Sequence, residues 1–297
     1  MLRALHFSDV HVDVPWSSLP PLDLLNKRAL GALNLVLRRA KRFAESRQKL
    51  QALGEFAQRE QVDLLLCTGD YTVLGTEPEY QAASTALQPL LQLGLPLATV
   101  PGNHDLYMPD TRRHHRFERF FGGYIESECP QAAAGTTGWP WVRFFGEEVA
   151  VVGVNSARPN PQPWRSSGRI AEAELEALEA LLMRPELQGR FVFLLTHYAV
   201  RRPDGSPDSW THGLENADRL IELCRRALGR GALLHGHIHH RYALELDGMR
   251  SFGAGSATDL GREGLWLFEL DDGRARAIPG HLADGQYRLL PGEAIRF

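Results

Sequence analysis

The stretch Val62-Asp63-Leu64-Leu65-Leu66-Cys67-Thr68-Gly69-Asp70 decides the class of fold. A continuous apolar run closed by Gly-Asp reads as a strand buried on both faces, the kind found where helices cover a parallel sheet. Four other apolar runs end in the same way. Leu2 to Phe7 runs into Ser8-Asp9-Val10-His11, and Leu95 to Val100 runs into Gly102-Asn103-His104-Asp105. Phe191 to Leu195 runs into Thr196-His197, and Ala232 to His235 into Gly236-His237-Ile238-His239. Polar side chains gathered at the ends of several strands are the usual place for an α/β active site. The pattern predicts an α/β fold with one site at the strand ends.

Together the five strand ends offer carboxylates, imidazoles and one amide oxygen, the donor set for a pair of divalent metals. Such a pair activates water against phosphorus. Side chains two apart in extended backbone point to the same side, so Asp9 with His11, and His237 with His239, are expected to converge. Gly69, Gly102 and Gly236 each precede a ligand candidate, where a Cβ would crowd the turn into the site. Any one fragment alone is common in turns. The weight lies in all five, in order, each at a strand end.

The series Asp-x-His, Gly-Asp, Gly-Asn-His-Asp, His, Gly-His-x-His resembles the calcineurin-like metallophosphoesterase superfamily, with the motif set complete from Asp9 to His239. The resemblance implies two packed mixed β-sheets flanked by helices, a four-layer αββα sandwich. It also implies that Asp9, His11 and His239 hold one ion, that Asp70 bridges both, and that Asn103, His197 and His237 complete the second site. His104 is then the catalytic residue that contacts the phosphate and protonates the leaving oxygen, and Asp105 buttresses the loop. Two ions about 3.5–4 Å apart would share one hydroxide that attacks the phosphoester. Mixed nitrogen and oxygen ligation admits manganese, iron, zinc or nickel; the family adds a preference for Mn or Fe.

Composition fits one large domain spanning 1–297. The chain has 43% hydrophobic residues and a net charge of −3, so bulk attraction to nucleic acid is not implied. Cys67, Cys129 and Cys224 have no metal or redox spacing and read as reduced thiols of a cytoplasmic protein. The start enters a strand rather than a signal peptide, and no run reaches transmembrane length.

Two segments between motifs stand out. Leu24 to Lys49 reads as one long helical insertion (about 22–50). Leu30, Leu33, Val36, Leu37, Ala40 and Ala44 fall on one face, and Arg28, Arg38, Arg39 and Arg42 on the other, with Lys27, Lys41, Arg47 and Lys49 nearby. Such a basic amphipathic helix suits either a core-packing role with a solvated cationic back or peripheral contact with the inner membrane. The second segment is a candidate lid, about 106–130. Its Arg112, Arg113 and Arg116 are candidate substrate contacts, and its phenylalanines face either the substrate or the core. Asn155-Ser156, Tyr198 and His212 are further candidates for the cleft, His235 reads as an outer partner of the ligands, and the strands after Arg241 are expected to close the second sheet.

The resemblance leaves the substrate class open. Gly69 to Gly75 and Asp105 to Tyr107 lack the arginine-bearing signatures of calcineurin-type protein phosphatases. The motif wording is closest to bacterial cyclic nucleotide phosphodiesterases, which makes a small phosphodiester or nucleotide-linked substrate the leading expectation. The basic helix is similar to that of relatives that cleave the pyrophosphate of UDP-2,3-diacylglucosamine in lipid A synthesis. A DNA nuclease would need a capping module for which there is little room after Arg241. A non-catalytic scaffold would have lost ligands that this chain keeps.

Overall fold

The computed structural model describes residues 1–12, 14–15, 18–19, 26–34, 42–43, 45–135 and 137–297, the side chains of 32–34 excepted. Three of the sequence-predicted strands lie side by side and parallel: β1 (Leu2–Phe7), β2 (Leu64–Cys67) and β3 (Leu97–Thr99). β2 and β3 are wholly buried, and β1 is buried from Ala4 onward, as strands covered on both faces must be. The second sheet is built from β4 (Trp141–Phe145), β5 (Val149–Gly153), β6 (Phe191–Leu195), β7 (Gly231–His235), β8 (Arg241–Leu246) and β9 (Met249–Ala254). Its order is β4-β5-β6-β7-β9-β8, with β5, β6, β7 and β9 mutually parallel.

The strands β10 (Gly264–Asp271), β11 (Arg274–Ala283), β12 (Gln286–Leu289) and β13 (Ile295–Arg296) correct one expectation. They do not close the second sheet. β10 pairs antiparallel with β1, and β11, β12 and β13 extend that first sheet, whose order is β12-β11-β10-β1-β2-β3 with β13 on β11. The chain therefore seals the edge it began on. The two sheets meet face to face through aromatic rings: Phe268 of β10 lies 5.1 Å from both Phe193 of β6 and Phe252 of β9. T-shaped contacts of this kind join area burial to favourable ring electrostatics.

Helices cover the outer faces. α1 (Lys27–Asn34) and α2 (Ser46–Arg59) precede β2, while α3 (Glu77–Ala86) and α4 (Gln88–Leu91) link β2 to β3. α5 (Pro109–Arg113) and α6 (Arg116–Phe121) follow β3, α7 (Glu172–Leu182) precedes β6, and α8 (Ala217–Ala227) precedes β7. α2 buries Leu50, Leu53, Phe56 and Ala57, spaced to form one stripe, with Phe56 against Tyr287 of β12.

The single helix expected from Leu24 to Lys49 is not there. Arg42, Phe43 and Glu45 lie in turns, and Glu45 has φ +67°, a left-handed residue that no α-helix accommodates. The amphipathic reading also fails residue by residue. Leu30 is 55% exposed, whereas Arg28 is buried, donating to Leu74 O at 2.8 Å and to Asp110 at 3.0 Å. Lys49 is buried too, 2.7 Å from Glu263. Val36, Leu37, Arg38, Arg39, Ala40, Lys41 and Ala44 lie outside the described residues.

The candidate lid is likewise part of the body. Phe117 and Phe121 are buried, and Phe121 stacks on Tyr71 at 4.1 Å. Arg116 is buried against Gly75 O and Asp110, both at 2.9 Å. Arg112 and Arg113 are exposed and do not line the cleft described below. Among the described residues no helix is long and apolar enough to cross a membrane, and Cys67, Cys129 and Cys224 are all buried thiols.

Candidate metal centre

The ends of β1, β2, β3, β6 and β7 bring Asp9, His11, Asp70, Asn103, His104, His197, His237 and His239 to one place. The convergence is not achieved by the expected extended alternation. Asp9, His11, Asp70, His237 and His239 have φ of +53°, +40°, +58°, +67° and +52°. A left-handed conformation costs a non-glycine residue about 1 kcal/mol or more, so five together mark a backbone held against its preference. The holding bonds are visible: Asp9 N and His11 N donate to Gly69 O and Asp70 O, each at 2.9 Å, clamping the β1 end to the β2 end.

Glycine is required at two of these turns for lack of space. A Cβ on Gly102 would come within 2.0 Å of Asp70 Oδ1, and one on Gly236 within 2.3 Å of Asp9 Oδ2. Asp105 fastens the same loops from behind. Its two oxygens accept from the backbone amides of Asp70, Tyr71 and Gly102, each at 2.9 Å, from that of Thr72 at 3.1 Å and from the Thr72 hydroxyl at 3.2 Å. Burial and the neighbouring Asp70 charge push its carboxyl up to about 7, opposed by these donors, which leave an added proton no acceptor.

Each ring of the four ligand candidates has one nitrogen committed to a neighbour. His11 Nδ1 donates to Thr72 O at 3.0 Å and His197 Nδ1 to Thr68 O at 2.7 Å. His237 Nε2 donates to His212 O at 3.1 Å, and His239 Nδ1 to Asp259 Oδ2 at 2.8 Å. The other nitrogens, unprotonated in neutral rings, face inward. His11 Nε2 and His239 Nε2 stand 3.0 Å apart, with Asp9 Oδ1 3.1 Å from the latter. His197 Nε2 and His237 Nδ1 lie 3.0 and 2.8 Å from Asn103 Oδ1, and His197 Nε2 is 3.3 Å from Asp70 Oδ2. Acceptors packed on acceptors are satisfied only by protons or cations between them. Imidazole fixed by an outer hydrogen bond is how proteins present a metal ligand.

Electrostatics point the same way. Burial opposes the ionisation of Asp9 and Asp70, but the histidines beside them, His239 for Asp9 and His197 for Asp70, hold both carboxyls below the usual range. Burial alone would lower His197 and His239. The Asp70 and Asp9 charges instead raise them to about 9. In the metal-free protein those rings carry the protons that balance the carboxylates, and a divalent cation would replace them.

His104 sits at the same rim. Its amide donates to Asp70 Oδ1 at 2.8 Å and its Nδ1 to Val73 O at 2.5 Å, which makes Nε2 the basic nitrogen, and the ring stacks on Tyr107. A cleft of about 560 Å³ opens above, lined by Asp70, Asn103, His104, His237 and His239 and by Lys27, Trp164, Arg165 and His212.

The minor candidates divide. Ser156 Oγ accepts from His197 N at 3.1 Å and so steadies the His197 loop, while His212 lines the cleft. Tyr198 is buried, donating its hydroxyl to Ser166 O. His235 is buried behind the ligands, its ring 5.3 Å from that of Tyr242. Sequence reading missed Asp259, which orients His239 and is itself gripped by Arg42 through Nε at 2.8 Å. The signal was present: Asp259 follows β9, whose parallel course ends at the same edge as β7.

A model of the calcineurin-like phosphoesterases matches residues 2–241. The chain belongs to that family. Members use dinuclear metal centres, and here Asp9, His11 and His239, and Asp9, Asp70 and His197, form groups able to hold a metal ion. The calcineurin-like fold recurs in a dimetal phosphatase of Danio rerio, with TM-score 0.65 and 12% identity over 99% of this chain and 98% of that one. It recurs in a purple acid phosphatase of yellow lupin seeds, with TM-score 0.62 and 12% identity over 99% of this chain and 53% of the other. GAP50, an anchor in the inner membrane complex of Plasmodium, shares it at TM-score 0.53 and 12% identity over 97% and 88% of the two chains. At these identities the likeness is one of fold. Comparison with curated protein sequences gives no match. A metal-dependent phosphoester hydrolase is the activity class that family, fold and donor set support.

Proposed function

We propose that the chain is a dinuclear metal-dependent phosphodiesterase acting on small phosphodiesters of the cyclic nucleotide type. The carrying observation is the inward-facing set of ring nitrogens, each fixed by an outer acceptor, around Asp9, Asp70 and Asn103. In this reading Asp9, His11 and His239 hold one ion, Asn103, His197 and His237 the other, and Asp70 both. Bound divalent ions, Mn or Fe by family preference, would supply an activated water and Lewis-acid polarisation of the phosphoryl oxygens.

The remaining work falls to the chain's own groups. His104, held through Nδ1, offers Nε2 to carry a proton to the departing ester oxygen. Asp105 keeps the backbone of Asp70 to Thr72 and of Gly102 in place, so the Asp70 carboxylate would not shift as charge moves. A diester is favoured because the cleft continues well beyond the ligands, past His104 toward Lys27, Trp164 and Arg165, leaving room for a second substituent on phosphorus.

The lipid A reading loses its sequence support, since the basic helix that suggested it is interrupted and its Arg28 and Lys49 turn inward. The test is Mn²⁺-loaded hydrolysis of a pool holding a cyclic nucleotide, UDP-2,3-diacylglucosamine, a phosphomonoester and short single-stranded DNA, followed by mass spectrometry. Preferential loss of the cyclic nucleotide is expected. Preferential loss of the monoester or of the lipid nucleotide would overturn the phosphodiesterase assignment.

A further inference from the structure

Two tryptophans stand nearly bare beside the metal cleft. Trp164, 70% exposed, lines it, and Trp210, 71% exposed, lies under the guanidinium of Arg165 at 5.9 Å. Indole rings bury some 150–250 Å² each when packed, so leaving two in water forgoes a large favourable term. Their backbone is not loose. The loop before α7 and the loop before α8 are zipped together by Ser166 N to Thr211 O at 2.8 Å and Gly168 N to Gly213 O at 3.1 Å. Glu215 accepts from Arg158, Arg165 and Ser167, and Lys27 Nζ donates to Asn160 O and Arg165 O at 2.8 and 2.9 Å. The platform also reaches the metal floor, because His212 O is the acceptor that orients His237.

We infer that Trp164 and Trp210, the latter beneath the Arg165 guanidinium, form a stacking subsite for the planar ring of the substrate's organic group, that is, for a nucleobase-bearing phosphoester. Indoles on a braced backbone, with only two side-chain torsions each, give a π-face at little entropic cost, and Arg165 and Arg202, which line the cleft while pairing with Glu215 and Asp208, add guanidinium planes beside it. The ring lies on the rim while the phosphorus lies over the ligands. This inference deepens the phosphodiesterase proposal and rests on it for the position of the phosphorus, but ring binding can be measured without turnover.

The experiment compares adenosine 5′-monophosphate with ribose 5-phosphate, which share a phosphate and differ in the ring. Both are titrated into the Mn²⁺-loaded full chain by calorimetry and by tryptophan fluorescence. The adenine compound is expected to bind about tenfold or more tightly and to quench fluorescence, as base–aromatic stacking of roughly 1–3 kcal/mol implies. That preference should fall toward unity in Trp164→Ala and Trp210→Ala and return in Trp164→Phe, with ribose 5-phosphate affinity unchanged throughout. Equal affinities in the wild type, or equal losses for both ligands in the variants, would overturn the subsite. Quenching by phosphatidylglycerol vesicles with none by the nucleotide would also overturn it, assigning the rim to a bilayer. Ring preference without any phosphodiester hydrolysis would keep the subsite and reject the reaction.

Discussion

The floor of the cleft and its rim are built by different physics. On the floor, five of the seven ligand candidates stand in left-handed backbone at strand ends, and each ligand imidazole is fixed by a carbonyl or carboxylate behind it. On the rim, loops are joined by side-chain networks around Glu215 and Lys27, and the contact surface is exposed indole and guanidinium. The floor can be written only with a narrow set of residues, because geometry and charge both constrain it. The rim tolerates many solutions. The difference teaches that the donor set for the family's chemistry resides in the floor, and it places the proposed choice of substrate in the rim.

The comparison can be broken most severely at Asp70, which faces His11 and His197 at 3.7 and 3.3 Å. Asp70→Asn is expected to abolish metal retention and turnover, a loss exceeding the roughly 100-fold that removal of an outer partner costs. Metal analysis beside a hydrolysis assay checks it. His104→Ala should instead lower kcat by about 10²–10⁴-fold with metal content intact, as expected for a proton donor. Loss of metal in that variant would make His104 a ligand.

Asp259→Asn sits one step further out. It removes the carboxylate that both orients His239 and pairs with Arg42, and is expected to weaken metal affinity by about 10–100-fold in a chelator competition. Unchanged affinity would mean that the His239 ring is held by packing alone.

A milder probe is pH. His197 and His239 are raised from 6.5 to about 9, so the stability they contribute to the metal-free protein is full below pH 6.5 and lost as pH rises through about 9. The chelated protein should show a falling Tm over that window, and the Mn²⁺-loaded protein a much smaller fall, since the cation replaces those protons. Parallel curves would contradict the charge balance described for the floor. The smallest effects belong to the rim, where the tryptophan variants should alter ligand preference by about tenfold and leave Tm nearly unchanged.

Legibility in the sequence follows the same division. Buried parallel strands such as β2 and β6 are continuous apolar runs, and their ends carry the ligands, so fold class and candidate floor could be read directly. The edges could not. β11 carries Pro279 and Gly280 within it, and the pairing of β10 with β1 joins residues more than 250 positions apart, which no local pattern encodes. The break before α2 rests on Glu45 at φ +67°, a position where sequence would lead one to expect glycine. The rim was invisible because the loops that carry Trp164 and Trp210 are joined only by loop-to-loop bonds such as Ser166 N to Thr211 O.

The most direct test of the central claim is the divalent metal bound per chain, measured by mass spectrometry after chelation and Mn²⁺ reconstitution, in the wild type beside His11→Ala and His197→Ala. The account predicts two ions in the wild type and a lost or weakened ion in each variant, since it assigns the two rings to different sites. A wild type that binds none, or variants that both keep a full complement, would contradict it.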